Sequence, residues 1–387
     1  MAADANATGV DERRSSARQT QSDDVDAAES ADDRLLEVEN LRTVFHTERE
    51  TIRAVDGVSF GIEEGETLGL VGESGSGKSV TARSIMGLVD DPGELLPGSS
   101  VRFDGRELTD LTEKGYESVR GSGIAMVFQD PLSTLNPVYT VGNQIEEALS
   151  LHRGLSGIDA TEKAIELLED VGIPDAARRV SEYPHEFSGG MRQRAVIAMA
   201  LACDPDVLVC DEPTTALDVT IQAQILELLS DLQAEHGLSI LFITHDMGVI
   251  AEVADRVAVM YAGEIVEQAP VVELYENPRH PYTRGLLRSI PSTQQGAERL
   301  ETIAGEVPTP NKAATDCRFA PRCPEAFDAC EEVHPVPVPV EEGAEDHTAA
   351  CLLYPEDEPR KAAVDRHAAA GDEDSPESAG STGGDSR

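Results

Sequence analysis

The chain has no tryptophan among its 387 residues and only 31 lysines and arginines against 73 aspartates and glutamates, a formal net charge of −42. Lysine is the rarer base: Lys78, Lys114, Lys163, Lys312 and Lys361 are the full set. Such a balance leaves no broad basic face to neutralise DNA phosphates or an anionic membrane, so no nucleic acid partner is expected. Long apolar runs are also missing. Uncharged apolar stretches such as 195–203 fall far short of the roughly 18 residues of a membrane span, and the first 30 residues hold no apolar run of the signal-peptide kind. A soluble, cytosolic chain is expected.

Hydrophobic residues nevertheless make up 40% of the chain, enough for a packed core. Residues 1–33 and 355–387 are polar and poor in large apolar side chains. Such segments bury too little surface to offset chain entropy, so both are expected to be disordered acidic tails. The terminal segments carry only a small part of the negative charge, so the folded part is itself acidic. An acidic, lysine-poor surface points to a high-salt cytoplasm, where concentrated salt screens self-repulsion.

Between the tails, Leu36 to Phe45 alternate like a half-buried strand, and Thr67–Val71 forms a short apolar run closed by glycine. Ile221, Ile225, Leu228, Leu229 and Leu232 recur at helical spacing, and Ser239–Thr244 and Val257–Tyr261 read as strands. Strands alternating with helices give an α/β fold around a largely parallel sheet. Residues 140–183 show helical periodicity without an intervening strand, which places a helical insertion there. After about Pro270 the chain turns rich in Pro and Cys, including the alternating run Pro335–Val340, and a separate C-terminal module is expected.

The sharpest motif is Gly72-Glu73-Ser74-Gly75-Ser76-Gly77-Lys78-Ser79, after a predicted strand and before the helical segment that begins with Val80. This is the phosphate-loop pattern. Glycines let successive backbone N–H groups turn inward around phosphates, the helix N-terminus adds positive potential, Lys78 reaches the β and γ phosphates, and Ser79 binds Mg²⁺. A second requirement is an acid ending a hydrophobic strand, and Val207-Leu208-Val209-Cys210-Asp211-Glu212 supplies two. Asp211 would hold Mg²⁺ and Glu212 would polarise the attacking water.

With Ser188-Gly189-Gly190-Met191-Arg192-Gln193-Arg194 added, the sequence resembles the ATP-binding subunits of ABC transporters. Glu212 to Gln222 and Asn277-Pro278-Arg279-His280-Pro281-Tyr282-Thr283 narrow the resemblance to dipeptide/oligopeptide importers. It implies a P-loop NTPase core with an antiparallel β subdomain and a helical subdomain at about 130–190. The ATPase domain would span 34–270 and a C-terminal module 271–354. It further implies that Ser188, Gly189 and Gly190 bind the γ-phosphate of ATP held by an opposite subunit, that Gln129 senses Mg²⁺ and water, that Asp218 lies in a loop crossing the dimer interface, and that His245 is the switch histidine. Phe45 either stacks on adenine or completes the core at its strand end. One P-loop and one signature loop imply a homologous partner ATPase, more often different than identical, with two permease subunits and, indirectly, a substrate-binding protein. The chain would sit on the cytoplasmic face of the membrane and energise uptake of peptides, nickel or another small solute. A soluble ABC ATPase acting as a mechanical or regulatory factor is the alternative, but that class usually has two ATPase units or a long coiled-coil insertion, and neither is visible.

Cys317, Cys323, Cys330 and Cys351 cluster late in the chain. Disulfides are not expected in the cytosol, and four thiolates suit zinc, an iron–sulfur cluster or neither. Resemblance to peptide-importer ATPases, some of which carry a [4Fe–4S] cluster on four such cysteines, makes that cluster the expectation, with zinc the alternative. The charge pattern gives its own test: thermal melts from low to multimolar KCl should show rising stability, and a maximum at low salt would contradict a high-salt adaptation.

Overall fold

The structure is a computed structural model that describes residues 34–215, 217–290 and 303–373. The expected disorder of residues 1–33 lies outside the described residues, as do residues 374–387 and Ala216. An antiparallel sheet opens the fold. Its strands are β1 (Arg34–His46), β2 (Thr51–Glu63), then, after β3 (Thr67–Val71), β4 (Gly93–Leu95), β5 (Ser100–Phe103) and β6 (Arg106–Glu107). They run in the order β2-β1-β5-β6, with β4 also on β1. The main sheet adds to β3 the strands β7 (Ile124–Val127), β8 (Val207–Asp211), β9 (Ser239–Thr244), β10 (Arg256–Tyr261), β11 (Glu264–Pro270), β12 (Val338–Pro339) and β13 (Thr348–Ala349). Its order is β12-β13-β11-β10-β3-β9-β8-β7, and the five strands from β10 to β7 are parallel.

Strands buried on both faces read as continuous apolar runs, which explains Thr67–Val71 and Ser239–Thr244, where every residue is buried. Their alternation still sorts two cores. Leu68, Leu70, Leu241 and Ile243 pack toward the antiparallel sheet with Leu36, Val55 and Ile62. Ile240 and Phe242 point the other way, toward the helices. Each such fully buried side chain is worth about 1.5–3 kcal/mol relative to leaving it in water.

Helix α1 (Lys78–Ile85) follows β3, and the short α2 (Glu113–Glu117) precedes β7. The region predicted as helical, about 130–190, contains α3 (Pro131–Thr134), α4 (Val141–Arg153), α5 (Ile158–Asp170) and α6 (Ala176–Arg179), and α7 (Gly189–Leu201) follows it. Ile145 and Leu149 of α4 and Leu168 of α5 share a buried face with Val196 and Ile197 of α7. Then come α8 (Val219–His236), α9 (Met247–Val253), α10 (Val271–Glu276), α11 (Pro281–Arg288) and α12 (Arg360–Glu373). No helix among the described residues is long and apolar enough to cross a membrane.

Three expectations change at the C-terminal end. Residues after 270 do not stand apart. Strand β13 pairs with β11 and carries β12, extending the main sheet. Arg318 donates to the Ala262 carbonyl at 2.6 Å and pairs with Asp56 of β2, while Phe319 packs edge-on against Tyr261 at 5.2 Å between ring centroids. The run Pro335–Val340 ends in the paired strand β12 rather than in free polyproline geometry. The tail expected to be disordered from 355 instead begins with α12. There His367 is fully buried, accepts from Val336 N at 3.2 Å and donates to the Tyr354 carbonyl at 3.1 Å. Ala363 and His367, four residues apart, give α12 a buried face that its polar composition concealed.

Burial also sets a pH dependence. His280 is 1% exposed and caps α11 by accepting from Tyr282 N at 3.1 Å. Burial pushes its pKa down from 6.5 to about 4. A depressed histidine is neutral in the fold and protonates in the unfolded chain, so its contribution is full above about pH 6.5 and is lost as pH falls toward 4. Urea midpoints should therefore drop between pH 7 and 5, and His280→Asn, which keeps a capping acceptor, should flatten that slope. An unchanged slope would contradict the assignment.

Candidate functional site

Parallel strands direct ligands to their carboxyl ends, and the sequence motifs lie there. Residues 72–77 leave the end of β3 and enter α1. Gly75 and Gly77 take φ of +83° and +110°, a region that L side chains rarely adopt. A Cβ on Gly77 would lie 2.2 Å from the Ala54 carbonyl oxygen of β2. Gly77 N-caps α1 with no side-chain cap, so the first N–H groups of the helix remain available to an anion.

Lys78 is 5% exposed, and its amine donates to the Gly72 and Glu73 carbonyls at 2.7 and 3.0 Å. Burial lowers its pKa, while Glu212, Asp211 and Glu73 oppose the shift. Ser79 Oγ donates to Asp211 Oδ1 at 2.8 Å. Asp211, buried at the end of β8, has its pKa raised first by burial, and the Ser79 hydroxyl acts in the other direction. A hydroxyl and a carboxylate side by side, beside an anion cradle, are oxygen donors of the kind a magnesium ion takes with its waters. Ser74 and Gly75 are exposed at the tip, Ser76 is buried, and Val80 is half-buried.

Glu212 is the meeting point. Its backbone sits at φ +49°, uncommon for a residue with a side chain, and its N–H donates to the Ile243 carbonyl of β9 at 2.9 Å. Gln129, just beyond β7, donates through Nε2 to Glu212 Oε2 at 2.9 Å. His245, just beyond β9, places Nδ1 3.3 Å from Oε1. Two residues 116 positions apart in sequence thus meet on one carboxylate at the ends of adjacent strands. Thr215, which sequence reasoning missed, donates to Glu212 Oε2 at 2.8 Å; its place three residues after the acid was the available signal.

Ser188 and Gly189 are exposed, and Gly190 is buried. Ser188 caps α7, its Oγ accepting from Met191 N at 3.3 Å. Asp218 is exposed and caps α8, accepting from Thr220 N and Ile221 N, both at 3.1 Å. A Cβ on Gly190 would meet the Ile221 side chain at 2.6 Å, so glycine there lets the starts of α7 and α8 approach. Phe45, half-buried, ends the β1–β4 ladder opposite Gly93.

The late cysteines do not form the expected metal site. All four are free; Cys330 and Cys351 are buried, Cys317 and Cys323 partly so. Cys351 lies near the other three. Yet among the described residues no group of three or more His, Cys, Asp or Glu side chains is placed to hold a metal ion. Burial pushes the Cys317 and Cys351 thiols up to about 12 and raises Cys323. With no such group among the described residues, both the iron–sulfur cluster and the zinc alternative are withdrawn.

The family described as ABC transporter matches residues 55–215, and the oligopeptide/dipeptide transporter C-terminal region matches residues 266–330. The oligopeptide transport ATP-binding protein AppD of Bacillus subtilis is 51% identical over 323 residues, covering 84% of this chain and 98% of that protein. A probable peptide ABC transporter ATP-binding protein of Sinorhizobium fredii is 52% identical over 320 residues, covering 82% and 95%. Among solved structures, a dimeric ATP-binding cassette in a post-hydrolysis state with ADP and Pi is 31% identical with a TM-score of 0.55, covering 61% of this chain and 98% of that one. The cbiO1 subunit of the cbiONQ complex from Clostridium perfringens is 27% identical with a TM-score of 0.55, covering 63% and 92%.

Because a Cβ at Gly77 meets backbone rather than a yielding side chain, Gly77→Ala should distort the loop. The variant should lose the thermal shift that Mg-ATP gives the parent protein; an undiminished shift would show that the cradle does not need this geometry.

Proposed function

The chain belongs to the ATP-binding proteins of ABC transporters, in the branch that serves peptide import, and from that membership we propose how its residues divide the work of binding and hydrolysing ATP for an importer. The observation that carries the reading is the convergence of Gln129, Thr215 and His245 on the Glu212 carboxylate, beside the loop that ends in Lys78 and Ser79. Lys78 and the backbone amides of 73–79 bind the phosphates. Ser79 and Asp211 would hold magnesium, with Gln129 as a further candidate beside it, and the ion would supply charge neutralisation for the phosphate oxygens. Glu212 takes the proton of the attacking water while its three neighbours fix the orientation of the carboxylate. Phe45 stacks on adenine.

Ser188, Gly189 and Gly190 act on ATP held by a second ATPase subunit, and Asp218 lies at the same interface. Exposure of Ser188, Gly189 and Asp218 supports this reading, because groups completing a neighbour's site must face outward. The partner is a homologous ATPase subunit, in a heterodimer. Two permease subunits carry the pore, a substrate-binding protein delivers the cargo, and this chain sits peripherally on the cytoplasmic face. The cargo class is dipeptides or oligopeptides, or nickel or another small solute taken by the same kind of importer. Residues 271–354 serve as the peptide-importer C-terminal region, and the acidic surface reflects a high-salt cytoplasm.

Glu212→Gln keeps the shape and removes the base. ATP binding should persist, while turnover falls by about 10²-fold or more, the scale of a lost general base. Normal hydrolysis in that variant would remove Glu212 from the role.

A further inference from the structure

Glu73 is gripped at three points. Its carbonyl accepts from Lys78, and its N–H donates to the Tyr282 hydroxyl at 2.9 Å. Its carboxylate accepts from both ends of the Arg322 guanidinium, at 2.7 and 3.1 Å. Two of these grips come from residues more than 200 positions away, beyond the end of the ATP-binding core. Arg322 is itself fixed: its Nε donates to the Ala304 carbonyl at 2.9 Å, Nη2 donates to Gly305 O at 3.2 Å, and the guanidinium lies 5.7 Å from the Tyr261 ring centroid. Its side chain is 7% exposed, against 29% for Glu73.

A carboxylate in a loop that receives a polyanion is unfavourable on two counts. It repels the phosphates, and it competes with them for Lys78, whose charge it already influences. A forked, nearly buried arginine answers both, because a bidentate pair neutralises the carboxylate and fixes where it points.

We propose that Arg322 is a positioning residue for nucleotide binding: from the C-terminal segment it neutralises and orients Glu73, and with Tyr282 holds the first turn of the phosphate loop in its binding shape. The proposal rests on the ATP reading of the site. Arg322 acts through Glu73 and touches no reacting atom. The C-terminal segment is thereby part of the nucleotide site, and a shift of residues 304–322 reaches the phosphate loop through one ion pair.

Titration calorimetry of Mg-ATP against the full chain at fixed salt, with thermal melts to verify folding, tests this. Arg322→Gln should weaken binding about tenfold. Adding Glu73→Gln to that variant should bring affinity back to within about threefold of the parent, and raising KCl should narrow the Arg322→Gln defect, since the loss is one of charge. Affinity in Arg322→Gln equal to the parent's, or a double variant no tighter than the single, overturns the proposal; the second result would mark Arg322 as a structural support only. Should Arg322→Gln fail to fold, Arg322→Lys gives the reading: charge without the fork should cost about threefold, and no loss is contradictory. A parent chain that binds no ATP would remove the functional reading instead.

Discussion

The amine of Lys78, resting on two carbonyls of its own loop, is the contact on which the site depends. In a chain this acidic, an anion site cannot be built from a basic surface. It is built from backbone amides at the start of α1, one buried lysine, and acids set where a cation can use them. Burial works against the Lys78 charge, and the carboxylates of Glu212, Asp211 and Glu73 work for it. At an effective dielectric constant of about 20, unit charges about 4 Å apart interact by about 4 kcal/mol, so a few such neighbours can hold an ammonium charged in a buried place. The same acids then have separate tasks, because Asp211 is tied to Ser79 while Glu212 is tied to Gln129, Thr215 and His245.

Strand order makes those tasks possible. Since β3, β9, β8 and β7 are adjacent and parallel, residues that follow each of them arrive at one edge. The loop after β3, Gln129 after β7, Glu212 after β8 and His245 after β9 then need no further machinery to meet. Helices α7 and α8 present Ser188 and Asp218 outward, so the outward-facing groups and the inward-facing site belong to one chain but need not serve the same nucleotide.

Much of this was legible in sequence because it is local. The spacing of Gly72, Gly75, Gly77, Lys78 and Ser79 specifies a turn, and the run Val207–Asp211 specifies a doubly buried strand with an acid at its end. Thr67–Val71 and Ser239–Thr244 were read at their observed limits for the same reason. What was not legible depends on contacts between distant residues. Nothing around Glu73 announces Tyr282 or Arg322, and helix α12 hides its buried face of Ala363 and His367 in a polar composition. Cysteine spacing suggested a metal, but ligation depends on where the side chains are placed in space, and among the described residues no group of three or more potential ligands is placed to hold one.

The central claim is that a single buried lysine, set by its loop, turns an acidic protein into a binder of a polyanion. Titration calorimetry of Mg-ATP against the parent chain and against Lys78→Ala tests it most directly. The account predicts one ATP bound per parent chain and no measurable binding by the variant, with both proteins melting as folded species. Equal affinity in the two proteins would contradict it.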